Sequence, residues 1–381
     1  MSLEIIIGAD VVPTASNLQA FQTSAPKLLL DGLEEIWLAA DARIINLETP
    51  LSDQDSAAQK CGPAFRVPTA CANGIAALQP TGVCLCNNHS MDQGAEGLSS
   101  TRAALKARHV ASFGAGEDLD EADQPFFFVK HGVRVGVYAV CEHEFSFATE
   151  RKAGANPIDL INFSDRIREI KSSCDRLIVL YHGGREGYAY PSPDVQRICR
   201  KAAECGASLV VCQHSHCIGS SERWNNGTIV YGQGNFIFDM DDTIEGFDSG
   251  MLIRYTIGDF GMEKVEYVPI VRAAGGTALA NEAKAAELLD GFERRSRRIR
   301  MEGFVPARYE TYAEAQKEKL FHVFLSGNPL LKTLNVLSGR RPLRMYHQQS
   351  KTNILNTLRC ESIRELMIRG LVREVFPQER G

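Results

Sequence analysis

The sequence predicts an α/β sandwich with a mixed β-sheet, followed by a helical C-terminal appendage. Short, continuously apolar runs alternate with stretches of helical periodicity, which indicates strands covered by helices. His131-Gly132 separates two such runs as a tight turn would, so some strands are expected to pair antiparallel. From about Ala273 the strand signals end and long helical patterns follow.

Eight apolar runs are predicted to be strands, and two stretches between them are predicted to be helices. The predicted strands are Glu4–Gly8, Arg43–Leu47, Gly82–Cys86, Phe126–Val129, Val133–Val140, Arg176–Tyr181, Ser208–Cys212 and Thr228–Tyr231. The predicted helices are Gly97–His109 and Ser192–Cys205. Met251–Thr256 and Lys264–Ile270 flank a glycine-containing turn and are expected to form a further hairpin.

The chain of 381 residues is long enough for one large core and an appendage, because single cores rarely exceed about 250–300 residues. We predict an α/β domain over residues 1–275 and a basic helical region over residues 276–381. Residues 281–381 carry 19 Lys and Arg against 12 Asp and Glu, whereas the whole chain has a formal charge of −5. Apolar residues recur at helical spacing near the end of the chain, at Ile363, Leu366, Met367, Leu371 and Val375.

The composition favours a reducing, cytoplasmic setting. No apolar run approaches the roughly 18 residues that span a bilayer. Glu4 interrupts the apolar residues at the start of the sequence, so they do not have the pattern of an export signal. The 11 cysteines include no CxxC pair, and several lie in apolar runs, which is typical of buried free thiols. We expect a cytoplasmic protein, with peripheral contact to a membrane left open. Nucleic acid is not an expected partner, because the body is acidic and no binding motif accompanies the basic region.

Side chains that bind divalent metals follow the predicted strands. They are Asp10, Asn46, Glu48, Asn87, Asn88, His89, His182, His214, His216 and Asn235. Ligands of open α/β sheets bind beyond the carboxyl ends of the strands, so we expect these groups to meet at one edge. Imidazole, carboxylate and amide oxygen ligands suit Mn, Zn, Fe or Mg. The sequence therefore predicts one divalent ion, or two ions about 3.5–4 Å apart that share a carboxylate.

Each of these side chains also has an ordinary structural explanation. Asp10 could begin a turn, Asn87-Asn88 could precede a helix, and a lone histidine after a strand is most often a structural side chain. Their recurrence after six separate strands favours the metal site. Glu142-His143-Glu144 follows another strand and either adds ligands or forms a solvated loop, and we favour the loop.

Several segments resemble motifs of the CapA family of capsule and poly-γ-glutamate synthesis proteins. They are Asn46–Leu51 (NLETPL), Asn87–Gly94 (NNHSMDQG), Gly114–Gly116 (GAG), His182–Tyr188 (HGGREGY), Gln213–His216 (QHSH) and Tyr231–Phe238 (YGQGNFIF). The motifs occur in family order within roughly residues 4–270, and the C-terminal region lies outside the resemblance. The resemblance implies a sandwich of the calcineurin-like metallophosphoesterase type.

The resemblance also implies roles for individual residues. Asp10, Glu48 and His216 would hold one ion, and Glu48, Asn88, His182 and His214 would hold the other. His89 would be the general acid for a leaving oxygen, with Asp92 beside it. Substrate contacts would come from Asn46, Glu186 and Asn235.

One departure from the pattern affects the first ion. Phosphoesterases of this type usually carry Asp-x-His at the first strand, whereas this chain has Val12 at the histidine position. The first ion is thus short of one ligand, which predicts either occupancy by a single metal or weakened hydrolysis.

Two functions of different classes follow. The first is a metal-dependent hydrolase or transferase of capsule or poly-γ-glutamate metabolism that acts on a phosphate-containing or polyanionic substrate. The alternative is a non-catalytic subunit that binds an anionic polymer within an envelope-polymer synthesis complex. The run Arg294, Arg295, Arg297, Arg298 and Arg300 would contact such a polyanion, or it is a solvated helix face.

Overall fold

The structure is a computed structural model that describes residues 2–240, 245–322, 329–339, 341, 343 and 346–375. It divides into two compact units, Met1–Pro306 and Ala307–Gly381. Within the described ranges, no helix is both long enough and apolar enough to cross a membrane.

The first unit contains two main β-sheets and one two-stranded sheet. Its strands are β1 (Leu3–Val12), β2 (Ala42–Leu47), β3 (Gly82–Cys84), β4 (Ser112–Phe113), β5 (Ala115–Gly116), β6 (Phe126–Lys130), β7 (Val133–Cys141), β8 (Gly154–Ala155), β9 (Arg176–His182), β10 (Leu209–Gln213), β11 (Ser221–Trp224), β12 (Gly227–Tyr231), β13 (Asn235–Phe238), β14 (Ser249–Ile257), β15 (Glu263–Ala273) and β16 (Gly276–Leu279). Every strand predicted from the sequence lies within or overlaps one of these, and the hairpin of β14 and β15 is confirmed.

The helices of the first unit pack against its sheets. They are α1 (Leu18–Gln22), α2 (Pro26–Leu29), α3 (Glu34–Ala39), α4 (Ala72–Ala77), α5 (Gly94–Lys106), α6 (Leu119–Ala122), α7 (Phe163–Ser172), α8 (Pro193–Glu204) and α9 (Glu282–Ile299). Both helices predicted from the sequence are present, as α5 and α8. Ser192 caps α8 by accepting a hydrogen bond from the Val195 N–H, and proline occupies the first turn.

Both main sheets are mixed. The first has the order β16-β15-β14-β1-β2-β3-β4, with β13 also paired to β1, and the second has the order β11-β12-β10-β9-β7-β6. Strand β1 is parallel to β2 and β13 but antiparallel to β14. In the second sheet β7, β9, β10 and β12 run parallel, with antiparallel β6 and β11 at the edges.

The core explains why the strands are apolar on both faces. Ile5 and Ile7 of β1 face the second sheet and join Val137 and Leu180 in one buried cluster. Ile6 points the other way and packs with Phe21 and other side chains of the helical layer. The central strands are thus buried between a helical layer and the opposite sheet, which confirms the predicted α/β sandwich.

The first compact unit extends beyond the predicted boundary at residue 275. Strand β16 pairs with β15, and α9 packs against β11 and β15. The Ser296 hydroxyl accepts a hydrogen bond from the Ser221 N–H at 2.8 Å. Arg295 donates to the Gly219 carbonyl at 2.7 Å, so this arginine serves the fold, while Arg294, Arg297, Arg298 and Arg300 are exposed.

The C-terminal region is helical, as predicted. Beyond α9 it contains α10 (Phe304–His322), α11 (Pro329–Leu337), α12 (Gln348–Arg359) and α13 (Glu361–Val375). The apolar residues that predict a helix near the end of the chain all lie on α13. Their side chains are exposed rather than buried in a core, at Ile363, Leu366, Met367, Leu371 and Val375.

Candidate metal centre

The strand ends bring the predicted metal ligands together. Asp10 lies beside Asn46 of β2 and Asn235 of β13, and the pairing register shifts next to Asp10 on both sides. Such irregularities re-aim side chains and are frequent beside functional sites. At the end of the second sheet, His182 lies beside Gln213, so that His214 and His216 follow at the same edge.

Two groups of buried side chains have the composition of metal sites. One contains Glu48, His182 and His214, and the other contains Asp10, Glu48 and His216. Within each group the ligand atoms lie within 4.8 Å of one another. Glu48 belongs to both groups, which is the position of a carboxylate that bridges two ions.

Orphaned carboxylate oxygens show that these groups fit a cation. Both oxygens of Glu48 and Oδ2 of Asp10 are buried and accept no hydrogen bond from the described residues. Oε1 of Glu48 nevertheless lies 3.3 Å from Nε2 of His182, and Oδ2 of Asp10 lies 3.5 Å from Nδ1 of His216. Buried charge without a partner is costly, and a divalent ion among these atoms would remove that cost.

Asn88 completes the ligand set around His182. Its Oδ1 lies 3.0 Å from Nε2 of His182, which also faces Glu48. Three ligand-type atoms from β9, from the end of β2 and from the turn after β3 therefore converge on one point. This geometry fits the ligand group Glu48, Asn88, His182 and His214.

The backbone at His214 and His216 is held in an unusual conformation. Their φ angles are 88° and 52°, in the left-handed region that residues other than glycine seldom adopt. Such strain persists only where the surrounding structure enforces it, and it concentrates at functional sites. The surrounding structure therefore holds the segment after β10 in a strained backbone conformation that fixes the orientation of the two imidazoles.

Burial sets the protonation of the ligands. Burial and the charge of Asp10 raise the pKa of Glu48 to about 8. Burial lowers the pKa of His182 and holds that of His214 well below its usual value, so both imidazoles are neutral at neutral pH, as metal binding requires. Burial also disfavours the charged form of His216, but the charges of Glu48 and Asp10 outweigh it and raise the pKa of His216.

We expect metal binding to release a proton below about pH 8. There Glu48 of the metal-free group holds a proton, because burial and the charge of Asp10 raise the pKa of Glu48 to about 8. An incoming cation must displace it, so the affinity should rise about tenfold per pH unit and level off above that pH. Calorimetric titration in two buffers of different ionisation enthalpy measures the released protons. Absence of proton release near neutral pH would contradict a protonated metal-free centre.

His89 and Asp92 form a buried pair beside the metal groups. Nδ1 of His89 lies 2.6 Å from Oδ2 of Asp92. The backbone N–H of His89 donates to Oδ1 of Asn87 at 3.1 Å, which fixes the turn that also carries Asn88. The pair therefore has the arrangement expected of an imidazole oriented by a carboxylate.

Val12 lies in an apolar cluster instead of among metal ligands. It is buried with Phe238 and Phe247, and Phe65 packs against them. The rings of Phe238 and Phe247 lie 5.6 Å and 5.3 Å from the ring of His216. At the position where a further histidine ligand is usual, the group Asp10, Glu48 and His216 is therefore bordered by apolar side chains.

The three predicted substrate contacts differ in their surroundings. The Asn46 amide donates to Oδ1 of Asp10 at 2.8 Å and its Oδ1 accepts from Asn87 at 3.0 Å. Oδ1 of Asn235 lies 2.9 Å from Nδ1 of His216. Both asparagines are buried and already paired, whereas Glu186 is exposed on the loop after β9.

The segment Glu142–Glu144 is only partly a solvated loop. The Glu142 carboxylate accepts hydrogen bonds at 3.0 Å from the Tyr181 hydroxyl and the Gly184 N–H. Oε1 of Glu144 lies 3.6 Å from Nε2 of His214. His143 is exposed.

Sequence reasoning missed two residues of the site, Lys60 and Phe65. Nζ of Lys60 lies 2.5 Å from Oδ1 of Asp92, and the Phe65 ring stacks on the His89 ring at 4.3 Å. Both belong to a loop without strand or helix periodicity, so only its position directly after the segment containing Glu48 pointed towards the site.

Comparison with known proteins identifies relatives of this chain. Residues 4–240 match the sequence model of a family described as "Bacterial capsule synthesis protein PGA_cap". A capsule biosynthesis protein CapA of Bacillus anthracis is 30% identical over 192 residues, which cover 49% of this chain and 46% of that protein. A PGA biosynthesis protein CapA of Bacillus subtilis is 29% identical over 187 residues, which cover 48% of this chain and 49% of that protein.

A third relative carries a different description. It is a probable polyglutamine synthesis accessory protein of Mycobacterium tuberculosis, 29% identical over 233 residues that cover 57% of this chain and 61% of that protein. The chain spans about half the length of the two Bacillus relatives that it matches.

Proposed function

The chain belongs to the bacterial capsule synthesis protein family PGA_cap, and on this premise we propose that it is a metal-dependent hydrolase or transferase of capsule or poly-γ-glutamate metabolism. Its substrate would be phosphate-containing or polyanionic. The observation that carries the proposal is Glu48, a buried carboxylate shared by two ligand groups, neither oxygen of which is hydrogen-bonded to any residue that the structure describes. A buried carboxylate left in this state fits a metal centre of the metallophosphoesterase type.

The ligand assignment follows the two groups. Asp10, Glu48 and His216 would hold one divalent ion, and Glu48, Asn88, His182 and His214 would hold a second. Such ions, when bound, supply Lewis-acid activation of a phosphoryl oxygen and a nucleophile at neutral pH. Mn, Zn, Fe and Mg all suit this ligand set. Asn46 and Asn235 would orient Asp10 and His216 through their hydrogen bonds, and Glu186 would contact the substrate.

His89 would act as the proton donor. In hydrolysis, the water oxygen forms a bond to phosphorus and gives up a proton to solvent, the bond to the leaving oxygen breaks, and the His89 imidazolium gives its proton to that oxygen. Asp92, held at 2.6 Å from Nδ1, would stabilise the protonated ring and fix its orientation.

The proposal is tested by a substrate screen on metal-loaded protein. Phosphomonoesters, phosphodiesters and γ-glutamyl peptides would be offered with each of the four metals. We expect turnover of at least one phosphoester, loss of turnover with a chelator and recovery when the metal is returned. Metal-loaded protein that turns over none of them would favour the accessory function.

Two observations favour the accessory function as a second candidate. The ligand position at Val12 is filled by an apolar cluster, and one relative is described as an accessory protein. The buried orphan oxygens of Asp10 and Glu48 argue against it, because a protein that only binds a polymer has no need to maintain them.

The cysteines favour a cytoplasmic location. All 11 are free, and most are buried. Burial raises the pKa of Cys84 to about 12, which keeps this thiol unreactive. Free thiols in these numbers are typical of proteins that stay in a reducing compartment.

We expect the exposed arginines of α9 and of its C-cap to bind a polyanion such as poly-γ-glutamate in a salt-dependent manner. Replacing Arg294, Arg297, Arg298 and Arg300 with glutamine should abolish binding at low salt. In wild type, binding should weaken between 0.1 M and 1 M salt, because the Debye length falls from about 10 Å to about 3 Å. Fluorescence anisotropy with labelled polyglutamate measures both effects.

The control for this experiment keeps the fold and the metal site intact. Arg295 is left in place because it donates to the Gly219 carbonyl. Metal content should be equal in both proteins. If variant and wild type bind polyglutamate equally, the arginines are a solvated face, since isolated surface charges contribute little.

A further inference from the structure

The loop of residues 52–67 places two side chains against the His89–Asp92 pair. The loop follows β2 and crosses the turn after β3. Lys60 reaches this turn with a buried side chain that is 4% exposed. Phe65 reaches it with both its ring and its backbone N–H.

The loop holds both oxygens of the Asp92 carboxylate, which is fully buried. Nζ of Lys60 donates to Oδ1 at 2.5 Å, and the Phe65 N–H donates to Oδ2 at 2.6 Å. Oδ2 is also the atom that lies 2.6 Å from Nδ1 of His89. With each oxygen anchored from the loop, the carboxylate cannot rotate away from the imidazole without breaking a charge-assisted hydrogen bond.

The same two residues hold the imidazole ring. The Phe65 ring stacks on it at 4.3 Å, with an angle of 26° between the planes. Nζ of Lys60 lies 3.4 Å from Nδ1 and donates to the Asn88 carbonyl at 3.1 Å. One ammonium group therefore contacts the carboxylate, the imidazole and the backbone of a proposed metal ligand.

We propose that Lys60 and Phe65 are positioning residues that fix the ring of His89 through Asp92. They commit Nδ1 to Asp92, so that Nε2 is the nitrogen left for the leaving oxygen. This inference rests on the proposed role of His89 as proton donor. Neither residue is assigned to contact the substrate or an ion.

The loop has other attachments, so the contribution of Lys60 can be tested separately. The Ser56 N–H donates to Oε1 of Gln93 at 2.8 Å, and the Ala58 N–H donates to the Asp92 carbonyl at 2.8 Å. Nε2 of Gln93 donates to the Phe65 carbonyl at 3.1 Å. Lys60→Met keeps the length of the side chain and these backbone contacts while it removes the ammonium group.

The test is the histidine side-chain ¹⁵N spectrum of the full chain, recorded without metal and with diamagnetic Zn²⁺. It is taken at mildly alkaline pH, where an unperturbed imidazole is neutral. Wild type should show one His89 ring species with the proton on Nδ1. Lys60→Met should show a mixture of tautomers or a second ring orientation, and Lys60→Arg should restore the single species. Ser56→Ala removes the hydrogen bond that the Ser56 hydroxyl donates to the Gln93 carbonyl at 2.9 Å, loosens the loop without touching Asp92, and should leave the His89 signals unchanged.

The outcomes separate this inference from the proposed function. A Lys60→Met spectrum identical to that of wild type overturns the positioning role, whatever the protein catalyses. Loss of ring order with Lys60→Met supports that role even if the protein binds no metal and hydrolyses nothing. If Lys60→Met does not fold, the same spectrum is recorded on Phe65→Leu, which removes the stacked ring but keeps the backbone N–H that donates to Asp92. An unchanged His89 spectrum in that variant overturns the role of Phe65.

Discussion

Replacement of His89 with asparagine is expected to lower turnover by about 10²–10⁴-fold, the range typical of a lost general acid. Asparagine keeps a polar side chain in the buried turn but cannot deliver a proton. The loss should be larger for esters with alkyl leaving groups than for esters of acidic phenols, which leave without protonation. Steady-state kinetics on a matched pair of phosphoesters measures this contrast.

The control for His89→Asn is metal content. His89 lies in neither of the two ligand groups, so the variant should bind the same number of ions as wild type. A variant with full activity on both esters would rule out the proton-donor role. An equal loss on both esters would assign His89 to substrate binding instead.

Replacement of Glu48 with glutamine is expected to remove both ions, because Glu48 belongs to both ligand groups. The affinity should fall by more than about 100-fold, since loss of an outer-shell partner alone costs about 10–100-fold. Asp10→Asn removes a ligand of only one group and should leave the second ion in place. Metal titration followed by elemental analysis of each variant measures the number of ions per chain.

Protein stability distinguishes a lost ligand from a lost fold. The raised pKa of Glu48, about 8, means that in the metal-free protein this group contributes stability that is present at low pH and is lost as the pH rises towards 8. Metal-free Glu48→Gln should lack that loss and melt no earlier than metal-free wild type above about pH 8. If Asp10→Asn and Glu48→Gln lose their ions equally, Glu48 is not a bridge.

The sequence predicted the strands and the clustering of the candidate metal ligands because both depend on local patterns. Asp10 and His182 lie near the carboxyl ends of β1 and β9. Glu48 and the two histidines follow β2 and β10, and the shared edge of parallel strands brings all five together. The run of Ile5, Ile6 and Ile7 in β1 does not show which face of the strand meets the second sheet, because both faces of the strand are buried and apolar. One sheet covered by helices and two stacked sheets give the same apolar pattern, so the number of sheets could not be derived.

The remaining features depend on contacts between distant segments. Lys60 lies 32 residues before Asp92 in a loop without periodicity, and a lone lysine there predicts a solvated side chain. Arg295 belongs to the same arginine-rich run as its exposed neighbours, so the sequence does not distinguish it from them. Its contact with the Gly219 carbonyl depends on the packing of α9 on β11. The end of the first compact unit was similarly hidden, because the helical signal of α9 does not show that this helix packs on a sheet.

The central claim is that one or two divalent ions bind within the two ligand groups that share Glu48. Crystals of the full chain soaked with Mn²⁺ and measured for anomalous scattering test it most directly. We expect one peak among Glu48, Asn88, His182 and His214, with a second near Asp10 and His216 if two ions bind. An absence of anomalous density at this edge of the sheets in crystals that contain Mn²⁺, or ions bound only by other residues, would contradict the claim.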